Sequence, residues 1–301
     1  MIELVDGGRW TTIQDRGQPG LERFGIPAGG AADWFAARVA NELVGNPSDA
    51  ALLECTSVGP TLRFVDEAVV AVTGGQVASI AGWEAFRVAR GSSLAVGAIA
   101  PGLRTYVAIR RGIDVPLVLG SRSFCQRGTF GGGFGRPLAT GDRLPIGQLL
   151  AHEPMLVPWP PAHHLPLRGP WEVRVIAGPQ AAAFASDALE RLTATACRIT
   201  PEIDRMGLRL ETPGLRLPSE EILTVPMTAG AIQVTPSGGL IVLHVDHQTT
   251  GGYPVIATVI NADLPLLAQA RPGDTVRLRA VDMEEAARAW RRMSGWLELD
   301  L

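Results

Sequence analysis

Glycine and proline break this sequence so often that no apolar run can grow into a long helix. With 35 Gly and 23 Pro among 301 residues, the stretches left between breaks are short and rich in β-branched side chains. Glycine supplies the positive φ, and proline the fixed φ, that tight turns require. The pattern therefore predicts a mainly β protein with few short helices. In the first half the runs are Ile2–Val5, Ala68–Thr73, Phe86–Val88, Leu94–Val96 and Thr105–Arg110. One helix interrupts them, from about Ala32 to Val44, where Phe35, Val39 and Leu43 share a face before Gly45 and Asn46-Pro47 end it.

From Pro154 to Pro170 the residues turn to Pro, His and Trp, as in Val157-Pro158-Trp159-Pro160-Pro161-Ala162-His163-His164. Such a stretch forms neither helix nor central strand and reads as a linker. It divides the chain into domains 1–165 and 166–301, and a 46% hydrophobic content is enough to give each a core. The second domain repeats the style of the first, with strands at Glu172–Ile176, Cys197–Thr200, Leu240–Val245, Ile256–Ile260 and Thr275–Arg279. An Ala-rich helix is expected at about Gln180–Leu192, and a terminal helix should start at an Asp282 cap, with Glu285 reaching back from three residues on. Asp15-Arg16-Gly17 matches Asp204-Arg205-Met206-Gly207 loosely, and two further pairs keep the same order, which leaves duplication and coincidence both open.

Several functions are excluded by what the chain carries. A net charge of −3 with no basic run gives no footprint for nucleic acid. The first residues lack a basic start and apolar stretch, and no run approaches the ~20 apolar residues that span a bilayer, so no membrane partner and a cytoplasmic location are expected. Cys55, Cys125 and Cys197 are too widely spaced for a zinc site or a disulfide framework, and are expected to be small packed side chains. His163 and His164 have no acidic or Cys neighbour at ligand spacing, so no metal site is expected. All 27 basic residues are arginine. Without lysine the chain can form no Schiff base and can carry no covalent biotin or lipoyl group, so no covalent cofactor sits on it and any such carrier is another chain.

Three loops hold the polar chemistry. Gln14-Asp15-Arg16-Gly17-Gln18-Pro19-Gly20 follows a strand and presents amide, acid and guanidinium groups on a turn. Arginine there suits a carboxylate or phosphate, although Asp15 and Arg16 pairing with loop amides and with each other also explains the residues. The run Gly128-Thr129-Phe130-Gly131-Gly132-Gly133-Phe134-Gly135-Arg136 lacks the Gly-Lys-Ser/Thr ending of a phosphate loop and reads as a mobile or tightly packed turn, with Gly120-Ser121-Arg122 and Arg127 adding polarity nearby. Asp246-His247-Gln248-Thr249-Thr250-Gly251-Gly252-Tyr253 follows the most apolar strand and gathers an acid, an imidazole, an amide and two hydroxyls. His247 is either a general base or a hydrogen-bonded structural residue. No Gly-x-Ser-x-Gly marks a serine hydrolase.

Gln14 to Gly17, Gly120 to Arg122 and Gln248 to Tyr253, in that order, resemble the carboxyltransferase-domain family that includes allophanate hydrolase subunit 2, the C component of 5-oxoprolinase, the antagonist of a sporulation kinase inhibitor, and the carboxyltransferase domain of urea carboxylase. Ala40-Asn41-Glu42-Leu43-Val44-Gly45-Asn46-Pro47, Gly59 to Phe64, Gly112 to Pro116 and Gly230 to Val234 extend the resemblance over nearly the whole chain. It implies two cyclophilin-like β-barrel subdomains in tandem, a smaller partner subunit related to allophanate hydrolase subunit 1, and a small amide substrate. Carried over residue by residue, it implies Asp15, Arg122, Gln248 and Thr250 as catalytic, and Gln14, Arg16, Arg205, Gln233, Gly252 and Tyr253 as substrate-binding. An arginine would hold a carboxylate or carboxybiotin oxygens, Asp15 would orient it, and Gln248 and Thr250 would bond to the amide or carbonyl.

Three functions follow from the resemblance. One is ATP-dependent opening of 5-oxoproline, a cyclic amide, with the smaller subunit and a third, lactam-utilisation subunit. Another is carboxyl transfer from biotin on a partner to urea or a related amide. The third is a non-catalytic role as regulatory partner of the smaller subunit. The sequence also departs from the family pattern. His247 and Val255 replace the Arg and Lys that usually flank the Gln-Thr-Thr-Gly-Gly-Tyr-Pro run, and Ile203-Asp204 replaces the Ser-Asn usual before Arg-Met-Gly. Fewer cations and an added acid imply weaker binding of anions.

Overall fold

A computed structural model describes residues 1–155, 157–212, 214–218 and 222–297. The chain forms two compact units, one of residues 1–19 and 28–167, the other of residues 20–27 and 168–301. The second unit thus includes a short early segment, Gly20–Pro27, as well as the C-terminal half. Short strands predominate in both, as the punctuation predicts, and helices are few.

The strands of the first unit lie mainly in two sheets. One runs in the order Thr11–Gln14, Leu52–Thr56, Arg104–Ile109, Ala68–Gly74, Ala85–Val88, and the other in the order Arg143–Leu144, Ile2–Asp6, Val58–Phe64, Ser93–Ala98. Ile2, Leu4, Ile13, Leu53, Leu62, Phe64, Val70 and Val107 fill one core shared by both sheets. Burying each such aliphatic side chain contributes about 1.5–3 kcal/mol. Helix α1 (Trp34–Leu43) packs across Ala68–Gly74 and Arg104–Ile109 with Phe35, Val39 and Leu43 fully buried. Its first turn is capped by Asp33, whose carboxylate accepts from the Ala36 amide at 2.9 Å. The helix expected at Ala32–Val44 is therefore present, trimmed at both ends.

In the second unit the sheet closes on itself. Its ring runs Trp171–Ala177, Val255–Val259, Ala231–Val234, Leu240–Leu243, Gly207–Glu211, Ala196–Ile203, Thr275–Ala280, and a parallel pairing of the last strand with the first shuts it. Alternation sets the inward face: Trp171, Val173 and Val175 are buried while Glu172 is exposed, and Val276 and Leu278 are buried while Thr275 and Arg277 are exposed. A closed ring leaves no open sheet edge.

The helices of this unit depart from expectation at one place. Instead of one helix over Gln180–Leu192, a single 3-10 turn, Ala181–Ala183, precedes a short helix α2 (Ala188–Ala194). Gln180 is diverted, since its side-chain carbonyl accepts from the Val255 amide at 3.0 Å, and Phe184 takes an extended conformation that stops the turn. Helix α3 (Leu264–Gln269) lies wholly buried after the strand Val255–Val259. Helix α4 (Met283–Trp296) begins at Asp282, which accepts from the Glu285 amide at 2.7 Å as expected. The reciprocal half of the box is replaced: Glu285 instead takes the Arg279 guanidinium at 2.5 Å.

Cys55, Cys125 and Cys197 are free and buried, as expected of packed side chains. Burial pushes the Cys55 thiol far above its ordinary value, which makes it inert. No helix among the described residues is long and apolar enough to cross a membrane.

Candidate functional site

In the first unit the loop after Thr11–Gln14 is tied down by one carboxylate. Asp15 accepts from the Gly17 amide at 2.8 Å, the Ser121 and Ser123 hydroxyls at 2.6 Å each, and the Arg122 amide at 2.6 Å. Three of the four donors share Oδ1 and the Arg122 amide takes Oδ2, so the carboxylate is largely committed to the loops and keeps one acceptor position on Oδ2. Its geometry is that of a clamp joining the Gln14–Gly17 and Gly120–Arg122 motifs, and it holds the backbone amide of Arg122 rather than a guanidinium.

The turn needs glycine at position 17, where φ is +79° and a Cβ would come 2.1 Å from the Ala28 carbonyl oxygen. Gln14 is fully buried, with its amide nitrogen donating to Thr12 Oγ1 at 3.0 Å and to the Phe124 carbonyl at 3.2 Å. Arg122 turns its guanidinium to the Val115 carbonyl at 2.9 Å and Asp114 at 3.1 Å. Arg16 is largely exposed and lies 3.8 Å from Asp49. The glycine run from Gly128 is packed rather than open: a Cβ on Gly131 would meet the Ser123 carbonyl at 2.1 Å, and the Gly132 and Gly135 amides donate to the Arg122 and Gly131 carbonyls. Those amides are already spent and do not cradle a phosphate.

The second unit holds an open cleft of about 400 Å³ on its barrel. Gln233, from the segment Gly230 to Val234, and Gln248 and Tyr253, from the segment Gln248 to Tyr253, meet there with the hairpin tip at Ile203, Asp204, Met206 and Gly207. Gln233, on the strand Ala231–Val234, is 1% exposed and points its amide nitrogen at the Tyr253 carbonyl, 3.4 Å away, and at the Met227 sulfur at 3.5 Å. A carbonyl only accepts, so this contact fixes the orientation of the Gln233 amide. Its Oε1 then accepts from Gln248 Nε2 at 3.1 Å. Gln248 is left with its side-chain carbonyl and a second N–H. Gly251 is small for a reason, because a Cβ there would lie 2.7 Å from Gln233 Nε2.

His247 steadies this pair. It is 3% exposed, and its Nδ1 lies 2.7 Å from the Gln248 carbonyl, which requires Nδ1 to carry the proton. Burial holds the imidazole below its ordinary value, against the opposing pull of the Gln248 carbonyl, Asp246 and Glu22. The neutral ring therefore anchors the backbone of Gln248. Arg205 and Asp246 form a buried bidentate ion pair, 2.8 and 3.0 Å, so the Arg205 guanidinium is engaged away from solvent. Thr250 lies in the short strand Thr250–Gly251, paired with Val225–Pro226, and neither it nor Gly252 lines the cleft.

The lining residues Glu202, Arg209, Ile241 and Leu243 carry no motif and were not foreseen. Alternation along Gly207–Glu211 signals an outward side chain at Arg209, whereas Leu240–Leu243 is apolar throughout and Glu202 sits on the strand Ala196–Ile203.

Fold and site together define a mainly β protein with a cleft of about 400 Å³ lying on the strands of a closed barrel. The chain belongs to the carboxyltransferase domain family, subdomains A and B, whose model matches residues 24–280. It is 34% identical to the C component of the Escherichia coli 5-oxoprolinase, covering 96% of this chain and 94% of that one, and 34% identical to the corresponding component of the Haemophilus influenzae 5-oxoprolinase over 99% and 97%. It is also 33% identical to a urea amidolyase of Lachancea kluyveri, spanning 95% of this chain and 17% of that much longer protein. The crystal structure of the K. lactis urea amidolyase superposes with a TM-score of 0.91 at 31% identity, covering all of this chain and 20% of that one.

Proposed function

We propose that this chain is one subunit of a multi-subunit amide-processing enzyme that opens a cyclic amide at the expense of ATP, together with a smaller partner subunit and a lactam-utilisation subunit. The observation that carries this reading is the Gln233–Gln248 pair, which leaves a carbonyl and an N–H of Gln248 at the cleft. A lactam, a urea or a primary amide shows N–H and C=O on one edge and can meet both groups at once, whereas a trans peptide shows them on opposite sides. Two good hydrogen bonds of this kind discriminate strongly, because an ill-fitting amide leaves a partly buried group unpaired. The near end-to-end correspondence with the 5-oxoprolinase components supports the same reading.

In this scheme Gln248 orients the substrate amide, Gln233 and His247 hold Gln248, and Tyr253 flanks the cleft. The clamp of Asp15 fixes the Gly120–Arg122 loop and leaves Arg16 exposed at the turn. ATP supplies the driving force for breaking the amide bond. With the glycine run packed shut and no Gly-Lys-Ser/Thr sequence, the nucleotide is assigned to the partner subunits. The test is to mix this chain with the smaller and the lactam-utilisation subunits, ATP and a panel of lactams including 5-oxoproline. Release of ADP and ring-opened amino acid is expected, and absence of both with every lactam contradicts the proposal.

A second reading is carboxyl transfer to urea or a related amide, favoured by the superposition on urea amidolyase. The same cleft would hold the acceptor amide. Biotin would reside on another chain, since this one has no lysine to carry it. Carboxylation of urea in the presence of a carboxybiotinylated partner is the outcome that would move the assignment. Full biological activity of the complex with Gln248→Leu would favour a purely regulatory role.

A further inference from the structure

Cyclic amides differ in what they carry beside the amide, and the charge around this cleft is unbalanced. Among the described lining residues the charged side chains are Glu202, Asp204 and Arg209. The Asp204 carboxylate is held at the hairpin tip by the Met206 and Gly207 amides, at 2.7 and 3.2 Å. Glu202 and Arg209 form only a loose pair, 3.9 Å apart with both side chains more than half exposed. The neighbouring cation is already engaged, because Arg205 is locked to Asp246 in a pair that is 3% and 0% exposed. His247 adds nothing positive at neutral pH, since its burial favours the uncharged ring. Two acids against one arginine leave the lining with an excess of one negative charge.

We propose that this cleft selects amides that bear no carboxylate, accepting neutral lactams and ureas and favouring those with an adjacent ammonium group. The inference rests on the reading of the Gln233–Gln248 pair as an amide site and adds the charge class of the ligand. An excess unit charge within several ångströms of a half-open site, at surface-like dielectric and low salt, changes affinity by about fivefold to tenfold per ligand charge.

Three lactams of one ring size provide the test: 2-pyrrolidinone, neutral; 3-amino-2-pyrrolidinone, carrying an ammonium group; and 5-oxoproline, carrying a carboxylate. Each is titrated into the full chain at pH 7 and low salt and followed by NMR shifts. The expected order of affinity is ammonium, then neutral, then carboxylate, with 5-oxoproline at least about fivefold weaker than 2-pyrrolidinone. In the variant Asp204→Asn, the side-chain amide oxygen introduced at position 204 can still accept from the turn amides, Glu202 and Arg209 are left in balance, and the spread should shrink to within about twofold. Binding of 5-oxoproline as tight as or tighter than that of 2-pyrrolidinone overturns the proposal, as does a spread that survives in Asp204→Asn. If none of the three lactams binds, the amide reading itself fails and the charge selection falls with it. If lactams bind without regard to charge, the amide reading stands and only the selection is lost.

Discussion

Two buried or half-buried carboxylates organise this protein residue by residue, and each can be tested by its removal. Asp15 gathers four donors, so Asp15→Ala strands the Ser121 and Ser123 hydroxyls and two amides. A loss of about 2–3 kcal/mol in denaturant unfolding is expected. Asp246 neutralises Arg205 inside the second unit. Asp246→Asn leaves a buried guanidinium without its counter-charge and should cost about 3–5 kcal/mol, whereas Arg205→Met/Asp246→Leu should recover most of that loss. A double variant as unstable as the single one would contradict the view that the unpaired charge is the problem. Neither role was legible in the sequence. Asp15 and Ser121 stand 106 positions apart, and Arg205 and Asp246 stand 41 apart. A motif shows that such residues are present but not which of them close on each other. Hence Arg205, expected to grip a ligand, turns out to be engaged with Asp246, while Gln233 and Gln248, expected at the site, do meet there.

At the scale of elements, local signals that depend on neighbours in the chain were readable. The Asp282 cap, the buried face of α1 and the inward alternation of Trp171–Ala177 all follow from residues a few positions apart. Asp282→Ala should therefore lower stability by about 1 kcal/mol, measured by chemical unfolding. Expectations failed where a partner on another element intervened: Gln180 is drawn to the strand Val255–Val259, and Glu285 to Arg279 on the strand before its helix. The Pro-rich segment gives a pH signal of its own. His164 stacks on Trp83 with ring centres 4.5 Å apart, and burial holds its imidazole below the ordinary value of 6.5, partly offset by its bond to the Trp159 carbonyl. A depressed folded value means that the unfolded chain binds the proton more readily. The stabilisation is thus present above pH 6.5 and is lost as pH falls through the lower folded value. Comparing unfolding free energies from pH 7.5 to 5, His164→Phe should lose less stability on acidification than the parent protein; identical slopes would contradict this.

For the whole molecule, the glycine and proline punctuation foretold the mainly β architecture, but not that the strands of the second unit would close into a ring. Closure depends on Trp171–Ala177 pairing with Thr275–Ala280 across about a hundred residues, a contact no local pattern encodes. The cleft lies on four neighbouring strands of that ring, Ala231–Val234, Leu240–Leu243, Gly207–Glu211 and Ala196–Ile203, whose order brings Gln233, Gln248 and the 203–207 hairpin tip to one place. Reception of an amide edge by the Gln233–Gln248 pair is tested most directly by the affinity of the full chain for 2-pyrrolidinone, measured by NMR titration in the parent protein and in Gln248→Leu. The loss of two hydrogen bonds should weaken binding by about tenfold or more. Equal affinity in the two proteins would contradict the assignment of this cleft.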